Sequence, residues 1–330
     1  MPPVPILVMG SGRSGTTLVG KLLDSHPDVL YRHEPDSVLV DSDIPFLPSA
    51  GQRALHVAAA RLYLAALTRV RPPKVAARPP VFAKSWRRPA AALAHRAMAR
   101  AAPLLEPLKA LPVADLIDPA LRDTVVPAIK SVNSLCRTRL FHEAWPEARI
   151  VHVVRHPCAV VASRLAGIGK GLMRPNVYLA ATFAMDEARR YPFGEEEMRQ
   201  RPLEQQMAYQ WMVHNDKVHA ETRGLEACLT LRHETLCRGL TQGARALFAH
   251  CRLDWNAQTQ AFVARLDSLG GECGARYFSI MRNPAAELER WRERLSPAQI
   301  HGLAGVLAHS TLCREAYPEL LGLERAASSP

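Results

Sequence analysis

The chain has 330 residues, 48% hydrophobic and 22% charged, which gives enough apolar material for a sizeable core and excludes a disordered or fibrous protein. A formal net charge of +11 favours an anionic partner without choosing among nucleic acid, acidic lipid and a polyanionic small molecule. Seven cysteines, an odd count without a C-x-x-C pair or a small-scaffold rhythm, read as reduced thiols, and no run approaches the roughly 18 uninterrupted apolar residues of a membrane span.

The first element is an apolar run, Ile6 to Met9, which enters a glycine loop (Gly10 to Gly15) and opens into a helical pattern from Thr16 to Leu23. No basic region or cleavage site precedes it, so the expectation is a cytoplasmic protein without a signal peptide. Strand, glycine loop and helix N-terminus together aim backbone N–H groups at a phosphate. The spacing Gly10-x-x-x-x-Gly15-Thr16-Thr17 fits the P-loop template except at one place. Thr16 stands where a nucleotide triphosphatase has lysine, and the positive charge comes earlier, at Arg13. The expected cradle is the backbone of residues 13–17, with the hydroxyls of Ser14, Thr16 and Thr17 as further donors.

A turn at Asp24 to Pro27 leads to a short strand that ends at Arg32-His33-Glu34-Pro35. Pro35 biases Glu34 toward an extended backbone, which would put His33 and Glu34 on opposite faces. Residues 40–122 read as a helical insertion or lid, with helices over about 51–70 and 89–102 and a Pro-studded stretch from Arg71 to Pro80. Inside it, Lys84-Ser85-Trp86-Arg87-Arg88 reads as a solvated basic loop, with a grip on an anionic acceptor as the alternative.

Regularity returns with a strand from Val125 to Lys130 and a helix over about 134–144. The run Arg149 to Val154 has the composition of a buried parallel strand and passes into Arg155-His156-Pro157 and another helix. Helical patterns cover about 176–190 and 202–223, Cys228 to Arg232 is the last strand, and helix dominates to about 317. Trp211 and Asn215, four apart on one helix, read as crevice lining or as core. His214 and His219 have no ligand spacing, and no metal site is expected. The tail over about 325–330 reads as disordered. The alternation predicts one α/β domain over 1–330, a mostly parallel sheet flanked by helices, with ligands beyond the strands' C-terminal ends.

At this point the motifs carry a family resemblance. Gly12-Arg13-Ser14-Gly15-Thr16-Thr17 resembles the 5′-phosphosulfate loop of sulfotransferases that use 3′-phosphoadenosine 5′-phosphosulfate (PAPS). Arg155-His156-Pro157 with Ser163-Arg164 resembles their 3′-phosphate motif. The stretch from His26 to Pro35 is similar to the carbohydrate and tyrosylprotein branches. Leu231 to Leu236 resembles the "RYEDL" segment, and Trp291 to Ser296 resembles a C-terminal segment found near the cofactor.

The resemblance implies a P-loop-type α/β fold and metal-free sulfonyl transfer from PAPS to an acceptor hydroxyl, releasing 3′,5′-ADP. The acceptor it suggests is a glycan or glycolipid. It assigns Gly12, Arg13, Ser14, Gly15, Thr16, Thr17, Arg155, Ser163 and His233 to the cofactor, with His233 standing where a tyrosine is common. Arg13 and Lys130 become the catalytic cations and Glu34 the general base, with His33 as its rival because imidazole titrates near neutrality. Two other readings stay open: an atypical nucleotide kinase, and a non-catalytic protein that binds nucleotide or nucleic acid. Against the first, Val154 is followed by Arg155 where a triphosphatase has a metal-binding aspartate. Against the second, no basic stripe is interleaved with aromatics, so no nucleic acid is expected. Peripheral membrane contact is compatible with the composition.

Overall fold

The computed structural model of the chain describes residues 4–101, 111–175, 177–269, 281 and 283–322. Five strands form one sheet: β1 (Ile6–Gly10), β2 (Val29–His33), β3 (Val126–Ser131), β4 (Arg149–Val154) and β5 (Cys228–Arg232). Their order is β2-β3-β1-β4-β5 and every pair is parallel. β2 and β3 lie to one side of β1, and β4 and β5 to the other. Such a reversal opens a crevice beyond the C-terminal strand ends, where every site motif of the sequence falls.

The helix α1 (Thr16–Asp24) follows β1, and α2 (Arg53–Leu67), α3 (Pro73–Ala76) and α4 (Pro89–Ala101) lie between β2 and β3. Between β3 and β4 comes α5 (Thr138–Ala144). Four helices separate β4 from β5: α6 (Pro157–Gly169), α7 (Leu179–Phe183), α8 (Glu195–Gln200) and α9 (Leu203–Thr222). After β5 run α10 (His233–Arg238), α11 (Leu240–His250), α12 (Ala257–Asp267), α13 (Trp291–Arg294), α14 (Pro297–Leu307) and α15 (Thr311–Ala316). The tail expected to be disordered lies outside the described residues. Among the described residues no helix is long and apolar enough to cross a membrane.

Alternation along the strands distributes the core. Ile6 and Val8 pack with Leu18 and Leu22 of α1 and Leu240 and Phe248 of α11 on one face of the sheet. Leu7 and Met9 pack with Leu64 and Leu67 of α2 and Leu140 and Phe141 of α5 on the other. Both faces are covered, which is why these strands read as unbroken apolar runs. A third cluster joins Val160 and Val161 of α6 to Met212 of α9 and Leu307 of α14. Trp211 and Asn215 belong to this interior: Asn215 Oδ1 lies 3.2 Å from His152 Nε2, and its Nδ2 donates to Trp211 O at 2.8 Å.

The 40–122 region, expected as an insertion or lid, contributes both to the core and to the cavity at the strand ends, which Arg78 lines. Its helix α2 is part of the core beneath the sheet. The basic run at 84–88 departs from the expected solvated loop. Lys84 Nζ is buried on Asp24 Oδ1 (2.9 Å), Trp86 is fully buried, and Arg87 Nε donates to Asp115 O (2.7 Å). Asp24 also holds Lys21 Nζ at 2.7 Å, so one carboxylate ties two ammonium groups and clasps this segment to α1. A buried carboxylate partner removes the reason for these lysines to face water.

Candidate active site

The loop after β1 turns through two left-handed residues, Arg13 (φ 73°) and Gly15 (φ 93°). Leu18 N–H bonds back to Gly15 O at 3.0 Å, so the helix's own ladder supplies no partner for the N–H groups of Thr16 and Thr17. A β-carbon on Gly15 would lie 2.2 Å from Nδ1 of His233, which therefore covers the loop from the end of β5. Ser14 departs from the expected cradle. It is fully buried, and its hydroxyl points back at Gly10, 2.6 Å from where a β-carbon there would sit.

At the end of β2 the chain turns through the left-handed region at Glu34 (φ 49°), not the extended one that Pro35 suggests. Pro35 closes the right-handed basin, and the chain takes the other. Such a conformation costs about 1–3 kcal/mol and needs support. Glu34 N–H donates to Lys130 O (2.7 Å), and the Glu34 carboxylate accepts from Lys130 Nζ. Asp36, one turn on, accepts from Ser131 Oγ and Ser134 Oγ, bonding β2's exit to β3's. The turn also brings His33 and Glu34 to the same side, Nε2 to Oε1 being 3.9 Å, where strict alternation put them on opposite faces.

The electrostatics of this corner follow from burial. Lys130 is almost fully buried; desolvation lowers its pKa while the Glu34 carboxylate pulls it back. His33 is driven far below its ordinary value, first by burial and then by Lys130, Arg78 and Lys21. It is therefore neutral. A guanidinium can only donate, so the 2.6 Å contact with Arg78 Nη1 makes His33 Nε2 the acceptor, and Nδ1–H donates to Tyr31 Oη at 2.9 Å. The one lone pair of His33 is taken by Arg78. Lys21 Nζ in turn holds Arg78 O at 2.6 Å and Pro80 O at 3.1 Å.

At the end of β4, Arg155 Nη1 donates to Arg13 O (3.1 Å), while Arg13 Nε donates to Ser163 Oγ (3.0 Å) on α6. Arg13 thus joins the loop to the Arg155–Ser163 pair, which the sequence places in separate motifs. Glu234 fixes this corner from the first turn of α10: its Oε1 accepts from His156 N–H (2.8 Å) and its Oε2 from Tyr317 Oη (3.0 Å). His156 stacks on Trp291 at 4.5 Å, which locates the C-terminal segment beside the strand end.

These groups line one cavity of about 670 Å³, within the range of small-molecule sites. Gly12, Arg13, Gly15, Thr16, Thr17, Glu34, Lys130, Arg155, Ser163 and His233 are all on its wall. Ser14 is not. Arg78, Lys170, Glu287, Arg290 and Arg294 also line it, and the sequence reading named none of them as a site residue. Arg294 lies in the segment 291–296 that carries the resemblance, and Arg290 is one turn earlier; nothing local marks Arg78 or Lys170. Among the described residues the wall carries seven Arg or Lys side chains and two carboxylates. The excess of cations on such a wall suits a polyanion, and its carboxylates are Glu34 and Glu287.

Several solved structures are similar to the chain. The sulfotransferase from Mycobacterium avium named STF9 is 16% identical with a TM-score of 0.44, over 93% of this chain and 76% of that one. The sulfotransferase domain of the Synechococcus PCC 7002 olefin synthase is 17% identical with a TM-score of 0.45, over 92% and 94%. Mouse sulfotransferase SULT7A1, solved in complex with PAP, is 11% identical with a TM-score of 0.41, over 97% and 89%. No curated protein matches the chain. The decisive match is at the level of family: residues 5–257, from β1 to the start of α12 and so including all five strands, fit the model of the sulfotransferase family. The chain belongs to the sulfotransferase family.

Proposed function

We propose that the enzyme moves a sulfonyl group from PAPS to an acceptor hydroxyl, without a metal, and releases 3′,5′-ADP. The observation that carries this reading is the cationic cavity in which Arg13 touches both the glycine loop's partner Arg155 and Ser163. Such a wall fits a ligand with phosphates at two ends. Loop N–H groups of residues 15–17 would hold the 5′ end, Arg155 and Ser163 the 3′-phosphate, and His233 the base or ribose side. PAPS supplies the activated sulfonyl group. Glu34 takes the acceptor's proton as its oxygen bonds to sulfur, and Arg13 and Lys130 balance the charge that grows on the departing phosphate oxygen. Neutral His33, its lone pair engaged by Arg78, is the positioning partner and not the base. The resemblance around Glu34 favours a hydroxyl of a glycan or glycolipid.

The test is calorimetric binding of 3′,5′-ADP against 5′-ADP and against ATP with Mg²⁺. A preference of tenfold or more for 3′,5′-ADP, unchanged by magnesium, is expected. Preference for ATP–Mg²⁺ would transfer the site to the kinase reading and leave Arg155 without its role.

A further inference from the structure

A second cavity of about 200 Å³ adjoins the first and shares Gly12, Val132 and Met173 with it. Its wall is of different character. Phe46, Leu47, Leu135, Val160 and Tyr178 line it beside Val132. The rings of Phe46 and Tyr178 meet edge to face at 5.1 Å, and both are exposed, at 38% and 45%. They form an open apolar rim. Three polar side chains of the wall are engaged: Arg164 Nη1 donates to Gln210 Oε1 at 3.4 Å, and His214 Nε2 lies 3.0 Å from Thr182 Oγ1, outside the wall; Asn133 and Ser11, whose Oγ has no hydrogen-bond partner among the described residues, are the others. Trp211 closes the inner side, 3% exposed, and its Nε1–H has no hydrogen-bond partner among the described residues.

We infer that the acceptor is an amphipathic alcohol whose hydrophobic part, next to the hydroxyl, seats in this side cavity. The inference rests on the sulfotransferase reading of the larger cavity, and within it favours a lipid-like acceptor over a free glycan. A sugar ring would bring several hydroxyls against Phe46, Leu47 and Val160, which return no hydrogen bond. An alkyl or aryl group meets the same wall favourably. The volume accepts roughly six or seven heavy atoms at the ~30 Å³ that a water molecule occupies in the liquid. One hydrogen-bond acceptor at the far end of the ligand would satisfy the Trp211 N–H. The shared wall at Val132 and Gly12 leaves the hydroxyl end in the larger cavity, which Glu34 and Lys130 line.

The experiment measures transfer from PAPS to a series of primary n-alkanols, butanol to decanol, with methyl glucoside as the polar comparison. Direct binding of each alkanol to the full chain is measured on the same samples without donor. KM should fall about fourfold per methylene while the chain is entering the cavity and level off near six or seven carbons. Leu47→Trp, which fills the cavity from a half-buried position, should move that break to shorter chains and leave 3′,5′-ADP affinity unchanged. A KM independent of chain length, or methyl glucoside outperforming hexanol at equal concentration, would overturn the proposal. So would a Leu47→Trp protein that keeps the wild-type break. Failure of 3′,5′-ADP to bind would instead sink the donor reading, and the direct alkanol measurement would still decide the cavity's occupant.

Discussion

A β-carbon at position 15 would meet an imidazole 2.2 Å away on a backbone held at φ 93°, so two constraints fall on one residue. Gly15→Ala adds about 1–2 kcal/mol of left-handed strain and must also push His233 aside. The expected outcome is a loss of 3′,5′-ADP affinity of tenfold or more in a protein that still folds. The double variant Gly15→Ala, His233→Ala removes the clash but not the strain, so it should regain part of the affinity; full additivity in that cycle would disconnect the two residues. Glu34→Gln tests the proton acceptor. It keeps the side chain's shape and should lower transfer by about 10²–10⁴-fold with 3′,5′-ADP binding within twofold of the parent. Undiminished transfer would move the base elsewhere. Both residues were legible in the sequence by type and place. The left-handed turn at Glu34 was not, because its support is the Lys130 strand end, which no local pattern reveals.

At the scale of elements, the mostly parallel sheet followed from apolar runs alternating with helices, and each strand end fell within a residue or two of its expected place. The basic run at 84–88, between β2 and β3, was misread, and the cause is sequence distance. Lys84 finds Asp24 across 60 positions, and Arg78 finds His33 across 45. A charge run read locally looks solvated; only the fold supplies the carboxylate. The clasp has a testable energy. Asp24→Ala leaves Lys21 and Lys84 buried without that carboxylate, and removing one partner of a buried ion pair costs about 3–5 kcal/mol. The urea midpoint should drop accordingly with the m-value unchanged. Adding Lys84→Met to Asp24→Ala should recover part of the loss, because one of the two stranded charges goes. If Asp24→Ala unfolds at the parent's midpoint, the clasp contributes nothing. The same carboxylate holds Lys21, whose ammonium caps Arg78 O, so the folded variant should also bind acceptor more weakly.

The molecule as a whole buries imidazoles that its function does not titrate. Burial holds His152 near pKa 4 and His156 and His214 near 3, and drives His33 lower still. In the unfolded chain each returns to about 6.5. Below pH 6.5 the unfolded state therefore binds protons that the folded state refuses, and stability falls as the pH drops. The full stability is present above 6.5, and for His152 the loss continues until pH approaches 4, for His156 and His214 until about 3. Each histidine removes about 2 kcal/mol by pH 5, on the order of 8 kcal/mol for the four, against a typical total of about 5–15 kcal/mol. The urea midpoint should accordingly fall steeply between pH 6.5 and 5, and His214→Gln should make that fall shallower. Because His33 stays neutral throughout, its bond to Arg78 persists down to the point of unfolding. Activity on the acid side should then disappear together with the folded state, in one cooperative step. A one-proton activity profile centred near pH 6, in protein still folded by circular dichroism, would show that His33 titrates and that Arg78 is released before the fold is lost.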